Sequence, residues 1–470
     1  MGWTWARRFH ADQPSRHAAG MISGGGAGGY DLPVSTPRGI RTGAGGGVRR
    51  LGWGLADQAL SSMTNFALAI LVARSVSTSA LGAFGLAFTT YTITLGATRA
   101  LCQEPLTVRY RATGEPEWRD GTAAATGVAL VLGVLAGVVC VGAAFFFGGA
   151  LRPSLIVLGI GMPGLIVQDA WRSAFFSRLQ GRAAFANDLV WAIAQVVLVA
   201  VVLVAGMRTA PAFIAAWAAA AAVAGLYGIL QAGLVPRPGR TRWWLSRHRD
   251  LGPRYLVEFI ARNAAQSGAM YATAAFAGLS AAGALRGAQV VLGPLNILNM
   301  GITAPGVAES VRIARRSPRR MMRAVELLAV ALVVVFVAWG VVVYLLPDSV
   351  GEALLKRSWQ PAHEVIPAYT AVMAAQGMLT AATVGLRAMA AAKRSLRSRL
   401  VTGVLAVAGG TVGAATSGAV GAATGLALGL WIGGIQWWHQ LGLAVTEEEE
   451  RRAAGGAPVT PAPDPATAGP

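Results

Sequence analysis

Apolar residues in this chain do not alternate with polar ones at strand or surface-helix spacing; they run on. Twelve long stretches, at roughly residues 53–74, 80–101, 121–147, 154–176, 184–206, 210–234, 254–278, 280–306, 324–346, 363–387, 396–418 and 419–441, are separated by connections that carry arginine. Each is long enough to cross a bilayer core, because about 20 residues at 1.5 Å per residue span roughly 30 Å. A helix packed on a water-soluble core would keep a polar stripe, whereas Val128 to Phe147 and Val325 to Leu346 are apolar on every side. The pattern predicts an all-α polytopic membrane protein of about 12 transmembrane helices in two sets of six.

The polar segments divide the chain further. Residues 1–50 are rich in Gly, Arg, Ser and Pro without an apolar run and are expected to be a disordered cytoplasmic tail, whether translation starts at Met1 or at Met21. No signal peptide is read there. The first six-helix lobe is expected over 51–235, a basic cytoplasmic linker over 236–253, the second lobe over 254–441, and a second disordered tail over 442–470. The linker carries Arg240-Thr241-Arg242-Trp243-Trp244, a mixture suited to the membrane interface as a short amphipathic element.

Composition agrees with a bilayer as solvent: 54% hydrophobic, 13% charged, mean hydropathy +0.52. The net charge of +19 would suit nucleic acid, but the distribution of the charges points elsewhere. With the N-terminus inside, the 40 Lys and Arg residues sort as 31 cytoplasmic, 5 extracytoplasmic and 4 within spans, the asymmetry of a cytoplasmic (inner) membrane protein with both termini inside. The clusters Arg237 to Arg254, Arg312 to Arg323 and Arg387 to Arg399 are topology determinants that also touch anionic lipid headgroups. Cys102 and Cys140 are not expected to pair, and the five scattered histidines have no metal-ligand spacing.

An even number of spans per set makes any internal repeat parallel, related by an axis along the membrane normal. At an offset of 201 residues Asp57 matches Glu258, Asn65 matches Gln266, Gly82 matches Gly283 and Ala83 matches Ala284. In the last span Gly421, Gly425, Gly429 and Gly433 form a stripe that lets another helix approach closely. Gly161-Met162-Pro163-Gly164, Gly293-Pro294 and Pro367 are expected to interrupt three spans.

Ionisable side chains in hydrocarbon cost about 2.5–3.5 kcal/mol each and need a partner or a hydrated cavity. Here they are Asp57, Arg99, Asp169, Arg172, Glu258, Arg262 and Arg286. Arg99 and Arg172 lie near the cytoplasmic ends of their spans, within reach of the headgroups. Arg262 lies deeper and stands one turn after Glu258, spacing for an ion pair, and Asp169 and Arg172 repeat this at i,i+3. Arg286 has no local acidic neighbour. With the amides Asn65, Gln266, Asn296 and Asn299 at middle depth, these residues outline a cationic cavity for an anionic ligand such as phosphate or pyrophosphate. Arg262, Arg286, Arg99, Asn65 and Gln266 are the candidate substrate-binding residues, and Asp57, Glu258, Asp169 and Arg172 the candidate coupling or ion-pair residues. Walker, dinucleotide and nucleophile-elbow signatures are missing, so a non-enzyme without cofactor, driven by a gradient or by its substrate, is expected.

Asp57-Gln58-Ala59-Leu60-Ser61-Ser62-Met63-Thr64-Asn65-Phe66, Ala73-Arg74, Leu81-Gly82-Ala83-Phe84 and Glu104-Pro105-Leu106 together resemble the start of Wzx-type polysaccharide flippases of the multidrug/oligosaccharidyl-lipid/polysaccharide (MOP) superfamily. Asp169-Ala170-Trp171-Arg172-Ser173-Ala174-Phe175-Phe176, followed by Asn187-Asp188, is similar to their fourth and fifth spans. The resemblance implies a V-shaped pair of lobes alternating between inward-open and outward-open states. It also implies a polyprenyl-diphosphate-linked oligosaccharide as substrate, with arginines of the cavity against the diphosphate, and glycan synthases or polymerases as partners. A drug or cation antiporter of the same superfamily, a membrane glycosyltransferase or polymerase, and an assembly scaffold are the competing readings. The antiporter would prefer an acidic cavity. The enzyme would need more than the roughly 16-residue connection from Pro347 to Ala362, and the scaffold leaves the buried charges unexplained.

Overall fold

In the computed structural model the backbone is described from residue 44 to residue 455 except Ala112, and the side chains of 44–51, 55, 262, 297, 300 and 304 are not described. Most of the expected N-terminal tail and the last residues of the C-terminal one therefore lie outside the described residues. The spans all belong to one compact unit, from Val48 onward.

Fourteen α-helices run in order: α1 Ala44–Ser75, α2 Thr78–Thr98, α3 Glu104–Tyr110, α4 Glu115–Ala144, α5 Leu151–Ser177, α6 Gly181–Val204, α7 Ala210–Ala232, α8 Thr241–Arg247, α9 Gly252–Val291, α10 Pro294–Arg316, α11 Pro318–Tyr344, α12 Asp348–Leu355, α13 Trp359–Ala388 and α14 Ala392–Ala453. A π-helical turn, Arg99–Gln103, joins α2 to α3. Among the described residues ten helices are long and apolar enough to cross a membrane, which makes this a multi-pass membrane protein.

The difference between ten and twelve lies in two hairpins so tight that the helix reads through them. Gly278 inside α9 has φ 83° and ψ 176°, and Ser417 and Gly418 break α14 in the same manner, Gly418 at φ 60°. A positive φ of this kind is open to glycine at no steric cost. α2 touches both legs of α9: Phe259, Met270 and Tyr271 on the first, Leu279, Gly283 and Arg286 on the second. The chain therefore doubles back at Gly278. Counted by legs, with α10 completing the eighth, the described residues form the twelve spans expected.

Close packing follows the small residues. A Cβ added to Gly421 would lie 2.1 Å from the Gly413 carbonyl oxygen, one on Gly425 1.9 Å from that of Gly409, and one on Gly433 2.4 Å from Thr402 Oγ1. The glycine stripe of the last leg thus packs directly on the leg before it, backbone on backbone. α4 packs on α5, α5 and α6 on α7, α9 and α13 on α14, and α11 on α13, while α2 meets α9 across the middle.

That middle contact carries the repeat. A Cβ on Gly82 would fall 2.0 Å from the carbonyl oxygen of Leu279, and one on Gly283 would fall 1.9 Å from that of Thr78. Shifting the first pair by 201 residues produces the second, so the contact is its own mirror under the repeat. This is how a two-fold interface behaves. The hairpin at Gly278 stands at the same offset from Ser77, the N-cap of α2, and Arg286 from Gly85.

Three expectations change. Pro163 and Pro367 lie inside unbroken helices, and only Leu292-Gly293 before Pro294 interrupts one. Gly161 and Gly164 instead receive Ala218 and Ala222 of α7, so that motif is helix packing. The C-terminal tail does not begin at 442, because α14 continues through Ala453. Its acidic run is held by charge: Glu447 pairs with Arg394, Arg319 Nε reaches Glu449 at 3.0 Å, and Arg452 donates to the carbonyls of Ala314 (2.9 Å) and Arg315 (3.3 Å). A cation on the last carbonyls of α10 is favoured by that helix's dipole. α1 likewise starts inside the stretch read as the N-terminal tail.

Candidate functional site

Two polar clusters are buried among the spans, and they differ in charge balance. The first is built on α1, the π-turn after α2, α5 and α6. Arg172, on α5, was expected to reach the headgroups or to pair with Asp169 on its own helix. Instead its Nε donates to Asp57 Oδ2 of α1 at 2.9 Å and lies 3.1 Å from Asp188 Oδ2 of α6. Asp169 turns the other way. It accepts from Arg99 Nε at 2.9 Å and from Gln103 Nε2 at 2.8 Å, while Ser173 donates to Gln103 Oε1 at 2.5 Å. Residues three apart on a helix share a face, yet an arginine reaches farther than that spacing, and better-placed carboxylates on neighbouring helices win.

Arg99 and Gln103, the two ends of the π-turn, are four residues apart and so share the face turned to Asp169. A π-turn widens the helix by one residue and rotates the turns after it, a distortion common at functional sites. Its Leu101 carbonyl accepts from the Trp244 indole of the linker at 3.0 Å. Outside the carboxylates, Gln168 Nε2 donates to Asp188 Oδ1 (2.8 Å) and Asn187 Oδ1 (3.3 Å), and Asn187 Nδ2 donates to the Ala224 carbonyl (3.0 Å). Three aspartates thus share two arginines. Asp57 Oδ1 is buried without a hydrogen-bond partner.

Asp188 is an addition to the buried charges expected from sequence. It falls in the first turn or so of the stretch 184–206, where a carboxylate ordinarily meets water, and only the packing of α6 on α5 and α7 encloses it.

The second cluster surrounds Arg286 on the second leg of α9. Its guanidinium stacks 4.5 Å from the Phe88 ring centroid of α2, Nη1 donates to Gln289 Oε1 at 3.3 Å, and Nε is buried without a hydrogen-bond partner. Arg286 makes no salt bridge among the described residues. Gly85, its repeat mate, supplies the room: a Cβ there would sit 3.1 Å from Arg286 Cγ. Gln266 Nε2 donates to the Tyr369 hydroxyl at 3.0 Å beside it. Phe88 belongs to an aromatic group with Tyr91 and Trp217. A partly buried cation ringed by neutral amides, a phenol and aromatic faces can receive an anion without displacing a carboxylate.

Of the remaining candidates, Asn65 lies on α1 near Gln195, whose Nε2 donates to the Thr64 carbonyl at 3.2 Å. Glu258 is on the first leg of α9, and the Arg262 side chain lies outside the described residues. Asn296 is partly buried on α10, and Asn299 Oδ1 on the same helix is buried without a hydrogen-bond partner.

No family model matches the chain, and no curated protein matches it. Solved structures do. An inward-facing multidrug resistance MATE family transporter of the MOP superfamily superposes with a TM-score of 0.65 at 12% identity, over 83% of this chain and 95% of that one. The lipid II flippase MurJ, in an inward closed conformation, gives 0.63 at 11% identity over 84% and 90%. A MOP superfamily transporter from Pyrococcus furiosus, described by the reverse polarity of its binding pocket, gives 0.53 at 13% over 87% and 95%. The chain therefore has the all-helical fold of MOP superfamily transporters. At these identities the likeness is one of fold, and it carries over no substrate.

Proposed function

We propose that this protein is a flippase that moves a polyprenyl-diphosphate-linked oligosaccharide across the cytoplasmic membrane by alternating access, for cell-surface polysaccharide assembly. The observation that carries the reading is Arg286: a partly buried cation at the α2–α9 junction, without a carboxylate partner among the described residues, in a fold shared with a lipid flippase. A diphosphate is the kind of ligand such a group stabilises, through charge-assisted hydrogen bonds that neutral side chains cannot supply. The MATE-like antiporter is the second reading, supported by the likeness to MATE transporters, but a cationic drug would meet an uncompensated guanidinium. Arg262 and Glu258 occupy the first leg of α9 and are assigned to the same cavity, with Asn65 and Gln266.

Movement of an anionic headgroup outward runs down an inside-negative potential, at about 2.3 kcal/mol per charge per 100 mV, so the flip itself needs no ATP. Asp57 and Glu258, repeat mates on α1 and α9, are the proposed coupling groups. Both termini are assigned to the cytoplasm, with glycan synthases or polymerases as partners. Translocation of a lipid-linked oligosaccharide in vesicles reconstituted with the purified protein is the test. Activity that depends on the membrane potential and is lost in Arg286→Ala, at normal membrane abundance, supports the reading. Cation efflux without lipid movement would replace it with the antiporter.

A further inference from the structure

The linker between the two sets of spans carries exposed as well as buried apolar side chains. Trp244 of α8 and His248, which caps its C-terminal end, are one turn apart and buried. Trp243, 42% exposed, and Leu245, 39% exposed, flank that buried face on its two sides, and Arg242, Arg247 and Arg249 are exposed as well. A helix end washed by water gains nothing from two outward large apolar side chains. A helix lying in the headgroup region does, because the apolar side chains enter the acyl boundary while the arginines stay at the phosphates.

On the Trp243 side is a concavity of about 480 Å³ lined by Arg109, Trp243, Ser246, Arg247, Arg249 and Asp250. One of its arginines is already committed. Arg109 Nη1 donates to the Arg247 carbonyl at 2.7 Å and Nη2 to Asp250 Oδ2 at 2.6 Å, which fixes the end of α3 to the linker. The Arg109 guanidinium and the backbone hold the Asp250 carboxyl below the usual carboxylate range, so the one acid of the lining is occupied. Arg247 and Arg249 make no salt bridge among the described residues. The Arg-rich ends of α11 and α14 differ, since Arg319, Arg394 and Arg452 are each paired with a glutamate of the last turns of α14.

We propose that this concavity binds the phosphate of an anionic phospholipid headgroup, with Arg247 and Arg249 on the phosphate and Trp243 and Leu245 in the adjoining acyl region. A soluble phosphate would use the arginines but leave the apolar rim without a role, and the rim is why a lipid is the ligand. Lipid binding at this face does not depend on what the protein transports.

The purified full-length protein in neutral detergent is titrated with short-chain phosphatidylglycerol, short-chain phosphatidylcholine and inorganic phosphate, with the unfolding temperature as readout. Phosphatidylglycerol should raise it, and the other two at equal concentration should not. Arg247→Gln with Arg249→Gln, both at exposed positions where folding tolerates the change, should weaken the phosphatidylglycerol response by roughly 30-fold, at about 1 kcal/mol per arginine near the membrane surface. Arg319→Gln with Arg394→Gln should leave it unchanged. A response equal in the Arg247/Arg249 variant and the wild type overturns the site. Equal stabilisation by inorganic phosphate overturns the lipid as ligand, and equal stabilisation by phosphatidylcholine reduces the feature to an apolar patch.

Discussion

The cluster around Asp169 and the cluster around Arg286 solve the same problem in opposite ways. In the first, three aspartates and two arginines from three α-helices and the π-turn neutralise one another almost completely. In the second, a guanidinium is held by an aromatic face, one amide and the space left by a glycine. A buried ion-pair network offsets part of its own desolvation and is strongly destabilising to break by removing one partner, so it fixes structure. A buried cation that is only partly compensated retains the capacity to bind something else. On that ground we propose that Arg99, Asp169, Arg172 and Asp188 hold the architecture around Asp57, a proposed coupling group, and that the second cluster recognises the ligand.

The largest effect that would break this division is expected from Arg172→Gln. It strands Asp57 and Asp188 together, and loss of one partner from a buried network costs about 3–5 kcal/mol. Thermal unfolding in detergent, with lower yield of monodisperse protein, is the measurement; a variant as stable as the parent would show that the network is not structural. Arg286→Gln should do the reverse. Stability should stay within about 1 kcal/mol of the parent, while binding of a lipid diphosphate weakens by about 1.5–3 kcal/mol, the worth of a charge-assisted hydrogen bond. Equal loss of stability in both variants would erase the distinction.

Asp188→Asn sharpens the first cluster. Because three carboxylates share two guanidiniums, removing one negative charge while keeping the amide acceptor for Gln168 should cost less than about 1 kcal/mol, and clearly less than Asp169→Asn, which leaves Arg99 without a carboxylate. Thermal unfolding of the two variants side by side is the check. The smallest effect concerns the linker that supports the π-turn. His248 Nδ1 donates to the Trp244 carbonyl at 2.9 Å, Nε2 is buried without a partner, and burial holds its pKa below the usual histidine value. Arg109, Arg247 and Asp250 are the charged groups around it. The unfolded linker therefore binds a proton more readily than the folded one, so the stability from neutral His248 is present above about pH 6.5 and is lost as pH falls below it. Protection factors for hydrogen exchange in 241–252, taken relative to the intrinsic exchange rate at each pH, should fall between about pH 7 and 5.5, and His248→Phe should remove that fall.

Much of the fold was legible because the solvent is hydrocarbon. A span needs only its own composition to declare itself, so the twelve stretches and the glycine stripe at 421–433 could be read locally. The repeat was legible for a related reason. Two backbones crossing on a shared axis leave room only for glycine, and Gly82 and Gly283 stand at both halves of that crossing. Where local reading erred, a partner was supplied from elsewhere. Pro163 continues its helix with small neighbours packed on α7, and the acidic run after 446 is helical because arginines of α11 and the start of α14 pair with it and the end of α10 accepts from Arg452.

The sequence by itself determined that this is a membrane bundle of twelve spans, how its halves relate, and which ionisable residues must be accounted for inside it. Only the tertiary structure decided which charge meets which. Arg172 finds Asp57 across 115 residues and Arg99 finds Asp169 across 70, whereas the nearer i,i+3 partner is passed over. Spacing along one helix fixes a face and not a partner. The electrostatic energy of a pair depends on distance and local dielectric, both of which are set when helices pack.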